Sequence, residues 1–266
     1  MSELLARRMN YFDPETAAKR YAKGRPYYHK IVVNKIKNKL KLEDKLDHVA
    51  DIACGTGLST IPLLDISKKI TATDIAKQML NLAPKNNKID FIVAPAEDLP
   101  IESNSIDLIT VSSGIHWLKI DEFLNEAARI LKAEGWLIIY NNWFTGEMKD
   151  NSQFSTWFKE DYLKSYPSPP RNNQYDWGEN NLRLHGFERL DLETFTNEIV
   201  LNKLELIQYL LTQSNIISVV EKGNNEIGEI ENRLSDQLEK YFRNDNEVFT
   251  YENSILYLKL NLNFFN

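Results

Sequence analysis

Short apolar runs alternate with helical patterns through the first half of the chain, and this alternation is typical of a parallel sheet. We predict strands over residues 48–52, 70–73, 89–93, 106–111 and 136–140. Helical patterns lie between them over residues 58–64, 76–82 and 122–132. Gly135 follows the last of these helices and is a signal for its C-terminal end. The predicted fold class is α/β.

The pattern changes on both sides of this region. Before it, residues 14–38 predict two helices separated by residues 23–26. After it, residues 145–186 lose strand periodicity and contain a proline-rich stretch, which indicates a helical insertion with a loop. Alternating patterns then predict strands over 187–201 and 248–261. Between these strands, helical spacing predicts one helix from residue 204 and another from about 225 to 242.

The most informative motif begins at the end of the first predicted strand. Asp51 is followed by the glycine-rich turn Gly55-Thr56-Gly57 and then by a segment that can start a helix. Gly55 and Gly57 leave room for a ligand and tolerate unusual backbone angles, while backbone N–H groups gather at such a turn. The second strand ends at Asp74, at a distance that suits an acid binding the hydroxyls of a ribose. Together these residues predict a nucleoside cofactor.

Details of the turn discriminate between nucleoside cofactors. A dinucleotide fingerprint has a third glycine where this chain has Thr60, and the Asp51 carboxylate would repel a pyrophosphate but attract an ammonium group. No Gly-Lys-Ser/Thr follows, which argues against a P-loop. Asp51, Cys54, Gly55 and Gly57 match the motif D-x-x-C-G-x-G, and the chain resembles the class I S-adenosylmethionine-dependent methyltransferases. The resemblance implies S-adenosylmethionine as cofactor; an ordinary strand–turn–helix is the alternative.

The resemblance also implies the architecture. We expect a Rossmann-like, seven-stranded, mostly parallel sheet with helices on both faces, an antiparallel C-terminal strand and helical lid insertions. Ligands of such sheets bind at the carboxyl ends of the strands. One methyltransferase domain is expected over residues 1–266. Its parts are a helical cap (1–46), a cofactor-binding core (47–144), a helical insertion (145–186) and C-terminal strands (187–266) with a helical lid (204–242).

Further candidate cofactor residues follow the second and fourth strands. Ile75 and Met79 lie one helical turn apart and would form an apolar ledge for an adenine ring, although Met79 also suits a core position. Ser112 and Ser113, at the end of the fourth strand, are small enough to let the methionine part of the cofactor approach.

The loop after the third strand is a candidate for the adenine amino group. In the family it often reads G-D-A-x-x-L-P, with the acid accepting from that group. Pro95 replaces the acid here, which leaves the backbone of Ala96 and the side chain of Glu97 or Asp98 as candidates. A solvated acidic loop is the alternative.

Two segments resemble the trans-aconitate methyltransferase branch of the family. The N-terminal pattern Y-x-x-x-R-P-x-Y places Arg25 to pair with the methionyl carboxylate and Tyr21 to donate a hydroxyl. The H-W pair after the fourth strand makes His116 the candidate catalytic residue and Trp117 a candidate for substrate binding. The alternatives are a surface arginine on an amphipathic helix and a structural, hydrogen-bonded histidine.

Methyl transfer from a sulfonium is an in-line displacement, so the protein contributes mainly positioning and exclusion of water. A carboxylate acceptor needs no general base, whereas an alcohol or amine does, and His116 is the candidate base. Trp143 is a further candidate for substrate binding. Other aromatic residues outside the core are candidates for the acceptor pocket: Phe144, Trp157, Tyr162, Tyr166, Trp177 and Tyr209.

Composition limits the partners of the protein. The net charge of −6 disfavours a nucleic-acid partner, and no apolar run approaches the roughly 18 residues of a membrane span. A single cysteine, Cys54, and four histidines without ligand spacing predict no metal site. We expect a cytoplasmic enzyme that methylates the oxygen of a carboxylate or hydroxyl on a small molecule. Protein or RNA as acceptor, or binding of the cofactor without catalysis, are the alternatives.

Overall fold

A seven-stranded sheet forms the centre of the molecule. The computed structural model describes residues 12, 14–169, 174–221, 223 and 226–265. The strands are β1 (Leu46–Ile52), β2 (Ser67–Asp74), β3 (Ile89–Val93), β4 (Ile106–Ser112), β5 (Leu131–Met148), β6 (Phe187–Asn202) and β7 (Asn246–Leu260). Their order across the sheet is β3-β2-β1-β4-β5-β7-β6. Strands β1 to β5 pair in parallel, and β7 lies antiparallel to β5 and β6.

Helices connect and surround the strands. The α-helices are α1 (Glu15–Gly24), α2 (His29–Lys39), α3 (Lys77–Leu80), α4 (Ile120–Ile130), α5 (Ser152–Trp157), α6 (Leu163–Ser165), α7 (Glu179–Leu184), α8 (Lys203–Leu210), α9 (Ser214–Glu221) and α10 (Ile227–Leu238). A π-helical turn, Phe158–Tyr162, joins α5 to α6. Short 3₁₀ segments are Ile61–Asp65, Ile115–Trp117, Glu239–Tyr241 and Leu262–Phe265. None of these described helices is long and apolar enough to cross a membrane.

Both faces of the sheet are covered by helices. Successive side chains of a strand point to opposite faces, so Val49 packs in the cluster with α2 while Ala50 packs in the cluster with α4. Leu108 and Ile109 of β4 divide between the same two clusters. Together with the antiparallel β7, this confirms the predicted Rossmann-like α/β fold.

A third apolar cluster, which we call the lid cluster, covers the far ends of β5 and β7. It joins Phe249 and Tyr251 of β7 to side chains of α5, α8 and α10, such as Phe154, Leu206 and Leu234. Because β5 continues for eight residues past Tyr140, it projects beyond the parallel part of the sheet. The lid cluster therefore stands beside the carboxyl ends of the parallel strands.

Several predicted helices differ from those observed. Residues 58–64 are turns followed by a 3₁₀ segment that contains Pro62, so the predicted helix there is wrong. Helix α4 ends at Ile130 rather than before Gly135, because the buried Leu131 already begins β5 and Gly135 lies inside that strand. Helix α9 was not predicted. The helix predicted from about 225 begins at Ile227, and residue 225 lies outside the described residues.

Candidate active site

A cavity of about 760 Å³ lies at the carboxyl ends of the parallel strands. The segments that follow β1, β2, β3 and β4 form one side of it, with Gly55, Asp74, Ala96 and Ser112 in the wall. The outer part of β5, α1, the π-helical turn and the α8–α9 junction form the other side. This is where open α/β sheets bind their ligands.

The glycine-rich turn is held against the end of β2 by Asp74. The backbone N–H of Gly55 donates to Asp74 Oδ2 at 2.8 Å, and that of Ala76 donates to Oδ1 at 2.7 Å. A carboxylate has about four acceptor sites, so two backbone bonds do not exhaust it. Asp74 lines the cavity, and its carboxylate is the clamp of the turn; hydrogen bonds from it to ribose hydroxyls stay a prediction.

Backbone conformation explains the two glycines of the turn. The φ angles of Gly55 and Gly57 are +57° and +78°, in the left-handed region that favours glycine. A Cβ atom on Gly55 would lie 3.2 Å from the Met79 methyl group, at the cavity wall. A Cβ atom on Gly57 would lie 3.1 Å from the Phe91 ring. Gly57 is thus needed for packing behind the turn and does not line the cavity.

Asp51 lies beneath the turn and outside the cavity wall. Its Oδ2 accepts hydrogen bonds from the hydroxyls of Ser59 and Thr60, and its Oδ1 accepts one from Thr110, each at 2.7 Å. Burial raises the pKa of this carboxyl, and the three hydroxyls oppose that change. The structure therefore gives Asp51 a role in holding the turn, and its attraction for the cofactor's ammonium group stays a prediction.

One end of the cavity has the composition predicted for adenine binding. Ile75 is 62% exposed, although it is a large apolar residue, and Met79 is buried beside it. Ala96 and Glu97 also line this end, whereas Asp98 does not. Glu97 Oε1 accepts the Lys119 N–H at 2.7 Å, which ties the β3 loop to the segment before α4.

Arg25, directly after α1, also lines the cavity. Its Nη2 donates to the carbonyl of Thr212 at 3.0 Å, and its guanidinium lies over the rings of Tyr21 and Tyr209, 4.7 and 5.6 Å from their centroids. Its Nε is buried without a hydrogen-bond partner, and no ion pair to it occurs within the described part of the chain. A buried guanidinium donor left unpaired is costly, so the site fits an anionic group such as the methionyl carboxylate.

Uncharged polar groups support the end of β4. The Tyr28 hydroxyl lies 3.3 Å from Ser112 Oγ and 3.4 Å from Ser113 Oγ, and His29 Nδ1 lies 3.2 Å from the Tyr140 hydroxyl. Burial raises the pKa of Tyr28 to about 12 and lowers that of His29 to about 3. Both are therefore neutral near pH 7. Tyr28 is the last residue of the Y-x-x-x-R-P-x-Y pattern, a signal that sequence reasoning left without a role.

Ring-bearing side chains form much of the remaining cavity wall. His116 and Trp117 lie on the 3₁₀ turn after β4, with ring centroids 4.8 Å apart. Trp143 is 48% exposed at the cavity. Of the other predicted aromatic residues, Phe144 and Tyr209 line the cavity.

The other four aromatic candidates lie outside the cavity wall. Trp157, Tyr162 and Tyr166 are buried in the lid cluster, and Trp177 packs on the cluster with α4, so their prediction as pocket residues is wrong. Aromatic residues fill cores as readily as pockets, and their spacing in sequence does not separate the two.

The cavity brings together twelve of the predicted site residues: Tyr21, Arg25, Gly55, Asp74, Ile75, Met79, Ala96, Glu97, Ser112, His116, Trp117 and Trp143. Asp51 and Gly57 lie behind it. Sequence reasoning missed Asn141, Asn142, Phe158 and Gln213, which also line it. The pair of asparagines directly after a buried strand was a signal for the first two. Within the described ranges, no cluster of three or more His, Cys, Asp or Glu side chains is placed to hold a metal ion.

Comparisons with known proteins identify the family of the chain. A family profile described as a methyltransferase domain matches residues 50–139. A ubiquinone/menaquinone biosynthesis C-methyltransferase, UbiE, of Campylobacter jejuni is 30% identical over 176 residues, which cover 56% of this chain and 73% of the relative. A Dictyostelium discoideum protein named as a methyltransferase is 26% identical over 216 residues, covering 79% and 80%.

The chain belongs to the class I S-adenosylmethionine-dependent methyltransferases. A solved structure described as a type II methyltransferase from Anaeromyxobacter dehalogenans shares the fold, with a TM-score of 0.66 at 17% identity, covering 88% of this chain and 97% of the other. The predicted class, enzyme type and cofactor are thereby confirmed. The trans-aconitate branch and the individual residue roles remain predictions.

Proposed function

We propose that this methyltransferase transfers the methyl group to an oxygen, of a carboxylate or hydroxyl, on a small organic acceptor. The supporting observation is one continuous cavity that joins Asp74 and Arg25 to an aromatic wall beyond His116. Its volume of about 760 Å³ lies within the range of small-molecule pockets, about 300–1,000 Å³. A wall of this kind encloses a small molecule better than a protein or RNA surface.

S-adenosylmethionine, when bound, supplies an electrophilic methyl group on a positively charged sulfur. Asp74 accepts hydrogen bonds from the ribose hydroxyls, and Arg25 pairs with the methionyl carboxylate. Phe144, Phe158 and the rest of the lid cluster keep water away from the reacting atoms. Where the accepting oxygen carries a proton, His116 removes it as general base.

A second candidate is C-methylation of an electron-rich ring. The relative UbiE is named as a C-methyltransferase of quinone biosynthesis, and the aromatic wall formed by Phe144, Phe158 and Tyr209 suits a planar ring. In this case His116 would remove the proton from the methylated ring carbon or from a hydroxyl of the ring.

The test is a methyl-transfer screen over carboxylic acids, phenols, amines and hydroquinones, with S-adenosylhomocysteine formation as the readout. Mass spectrometry and NMR of each product then place the methyl group on oxygen, nitrogen or carbon. Transfer to oxygen is the expected result, and transfer to carbon alone would establish the second candidate. Absence of transfer across the panel, from protein that binds S-adenosylmethionine, would contradict both.

A further inference from the structure

Three asparagines on three neighbouring strands form one hydrogen-bonded group beside the cavity. Asn142 of β5 donates through Nδ2 to Asn197 Oδ1 at 3.1 Å and to Asn253 Oδ1 at 2.8 Å. Asn253 of β7, which is fully buried, donates through Nδ2 to Asn197 Oδ1 at 2.7 Å. We call Asn142, Asn197 and Asn253 the asparagine triad. Of its members, only Asn142 lines the cavity.

The backbone carbonyl of Phe195 fixes which way each amide of the triad points. Asn253 Nδ2 lies 3.4 Å from Phe195 O, which can only accept, so this end of Asn253 is the NH₂ group. Its Oδ1 then faces Asn142, whose own NH₂ must point toward it. The reversed arrangement would bring Asn253 Oδ1 against a carbonyl oxygen.

The triad therefore leaves Asn142 with one unused polar atom. Both hydrogens of its NH₂ group are used, one on Asn197 and one on Asn253. In the described part of the chain no donor reaches Asn142 Oδ1. Since Asn142 lies in the cavity wall, it offers a ligand a hydrogen-bond acceptor in a fixed orientation and no donor.

Charge is distributed unevenly along the cavity. Among the described residues of its wall, the Asp, Glu, Lys and Arg side chains are Arg25, Asp74, Glu97 and Lys119. In the proposed function Asp74 and Arg25 hold the cofactor, whereas Glu97 accepts the Lys119 N–H, and Lys119 Nζ pairs with Glu122. Around Asn142 the wall consists of uncharged groups, including Trp143, Phe144, Phe158 and Gln213. A carboxylate placed there would face the Asn142 oxygen, and the Arg25 guanidinium, which lies over the Tyr209 ring, is paired with the methionyl carboxylate in the proposed function.

We infer that Asn142 selects an uncharged ring-bearing acceptor by taking a hydrogen bond from one of its hydroxyl groups. An amide oxygen is too weak a base to take a proton, so this hydroxyl stays protonated and is not the one methylated. The accepting oxygen is a second group on the same molecule. There a C–O bond forms as the C–S bond breaks, the sulfur keeps the electron pair, and the proton passes to His116.

The inference rests on the proposed function, and a binding experiment separates the two. Catechol, resorcinol and hydroquinone are titrated by ligand-observed NMR into the protein saturated with S-adenosylhomocysteine. Their dimethyl ethers, which keep the ring but lack the donor, and benzoate, which adds the charge, are titrated in parallel. We expect at least one dihydroxybenzene to bind tenfold or more tightly than both its dimethyl ether and benzoate.

Variants then test Asn142 itself. Asn142→Ala should weaken that dihydroxybenzene at least tenfold, to the level of its ether, and leave the S-adenosylhomocysteine affinity within twofold. Asn34→Ala is the control, because Asn34 is exposed on α2 and lies outside the cavity wall; a change below twofold is expected.

Variants of Asn197, which does not line the cavity, test whether the triad fixes the orientation of the Asn142 amide. Asn197→Asp keeps the oxygen that holds the Asn142 amide and should retain binding, while Asn197→Leu removes it and should weaken binding at least threefold. The inference is overturned if benzoate binds more tightly than every dihydroxybenzene, or if each dimethyl ether binds as tightly as its parent. It is also overturned if Asn142→Ala weakens the binding of S-adenosylhomocysteine but not that of the dihydroxybenzene. Failure of the wild-type protein to bind S-adenosylhomocysteine would overturn the proposed function as well.

Discussion

Among single residues, Asp74 combines a structural and a binding role in one carboxylate. It fixes the N–H of Gly55 and the N–H of Ala76 while lining the cavity. Asp74→Ala should weaken S-adenosylmethionine binding at least tenfold in calorimetric titration, because both the ribose acceptor and the clamp on the turn are lost. Asp98→Ala is the control, since Asp98 is a nearby acid outside the cavity wall; a change below twofold is expected. If the two variants bind S-adenosylmethionine with equal affinity, Asp74 does not bind the ribose.

Asp51 shows the opposite case, an acid of the same motif that serves the fold. Removing its side chain in Asp51→Ala leaves the hydroxyls of Ser59, Thr60 and Thr110 buried without their acceptor. Each buried group left unsatisfied costs about 1–3 kcal/mol. Urea unfolding should show a loss of about 3 kcal/mol or more in the free energy of unfolding. A stability equal to that of the wild type would mean that the Asp51 carboxylate is not the acceptor for these hydroxyls.

Among elements, the contact of α1 with α8 decides where Arg25 lies. A Cβ atom on Gly24, the last residue of α1, would come within 2.4 Å of the Gln208 carbonyl oxygen in α8. Backbone at that distance must move, so Gly24→Ala should separate the helices and break the bond from Arg25 to Thr212. We expect a stability loss of about 1–3 kcal/mol and weaker S-adenosylmethionine binding.

Gly228→Ala is the matched control for this prediction. Gly228 lies in α10, and nothing is within 4 Å of a Cβ atom built on it. Alanine in a helix is favoured over glycine by up to about 1 kcal/mol, so this variant should be slightly stabilised in urea unfolding and bind the cofactor as the wild type does. A loss of cofactor affinity in Gly228→Ala as large as in Gly24→Ala would show that the α1–α8 contact is not the cause.

The strands and helices also differ in how far the local sequence determines them. Buried strands of a parallel sheet are continuous apolar runs, and part of each of the seven strands was predicted. Strand β5 extends over Leu131–Met148, beyond the predicted 136–140 and into the predicted insertion that starts at residue 145. The helix expected over 58–64 was wrong because the hydroxyls of Ser59 and Thr60 bond to Asp51, a partner several residues away. The predicted end of α4, residue 132, was wrong because Gly135 was read as a helix-ending residue. Helix α4 ends at Ile130, and Gly135 lies inside β5.

At the scale of the whole molecule, the cavity residues at the ends of the parallel strands were predictable and the asparagine triad was not. Asp74 and Gly55 follow strand ends that a local pattern reveals, and the fold then brings strand ends together. Asn142, Asn197 and Asn253 come from strands far apart in sequence, and their bonds depend on the register of β5, β7 and β6. No periodicity within one segment encodes such a register.

The stability of the whole molecule should depend on pH through His29. Burial, and to a smaller extent the charge of Arg25, lowers the pKa of His29 to about 3 in the folded protein, whereas an unfolded histidine titrates near 6.5. Above about pH 6.5 the residue is neutral in both states and its contribution to stability is complete. Between about 6.5 and 3 the unfolded chain binds a proton that the folded chain does not, so stability falls as pH falls, by about 1.4 kcal/mol per pH unit.

The measurement is urea unfolding at pH 7 and pH 5 for the wild type and His29→Asn, in which the amide can still bond to the Tyr140 hydroxyl that His29 Nδ1 contacts. From pH 6.5 to 5 one histidine accounts for about 2 kcal/mol, so the wild type should lose about that much more than the variant over this interval. A pH dependence in His29→Asn equal to the wild type would mean that His29 binds its proton in the folded protein, and the polar support beneath Ser112 would then be charged rather than neutral.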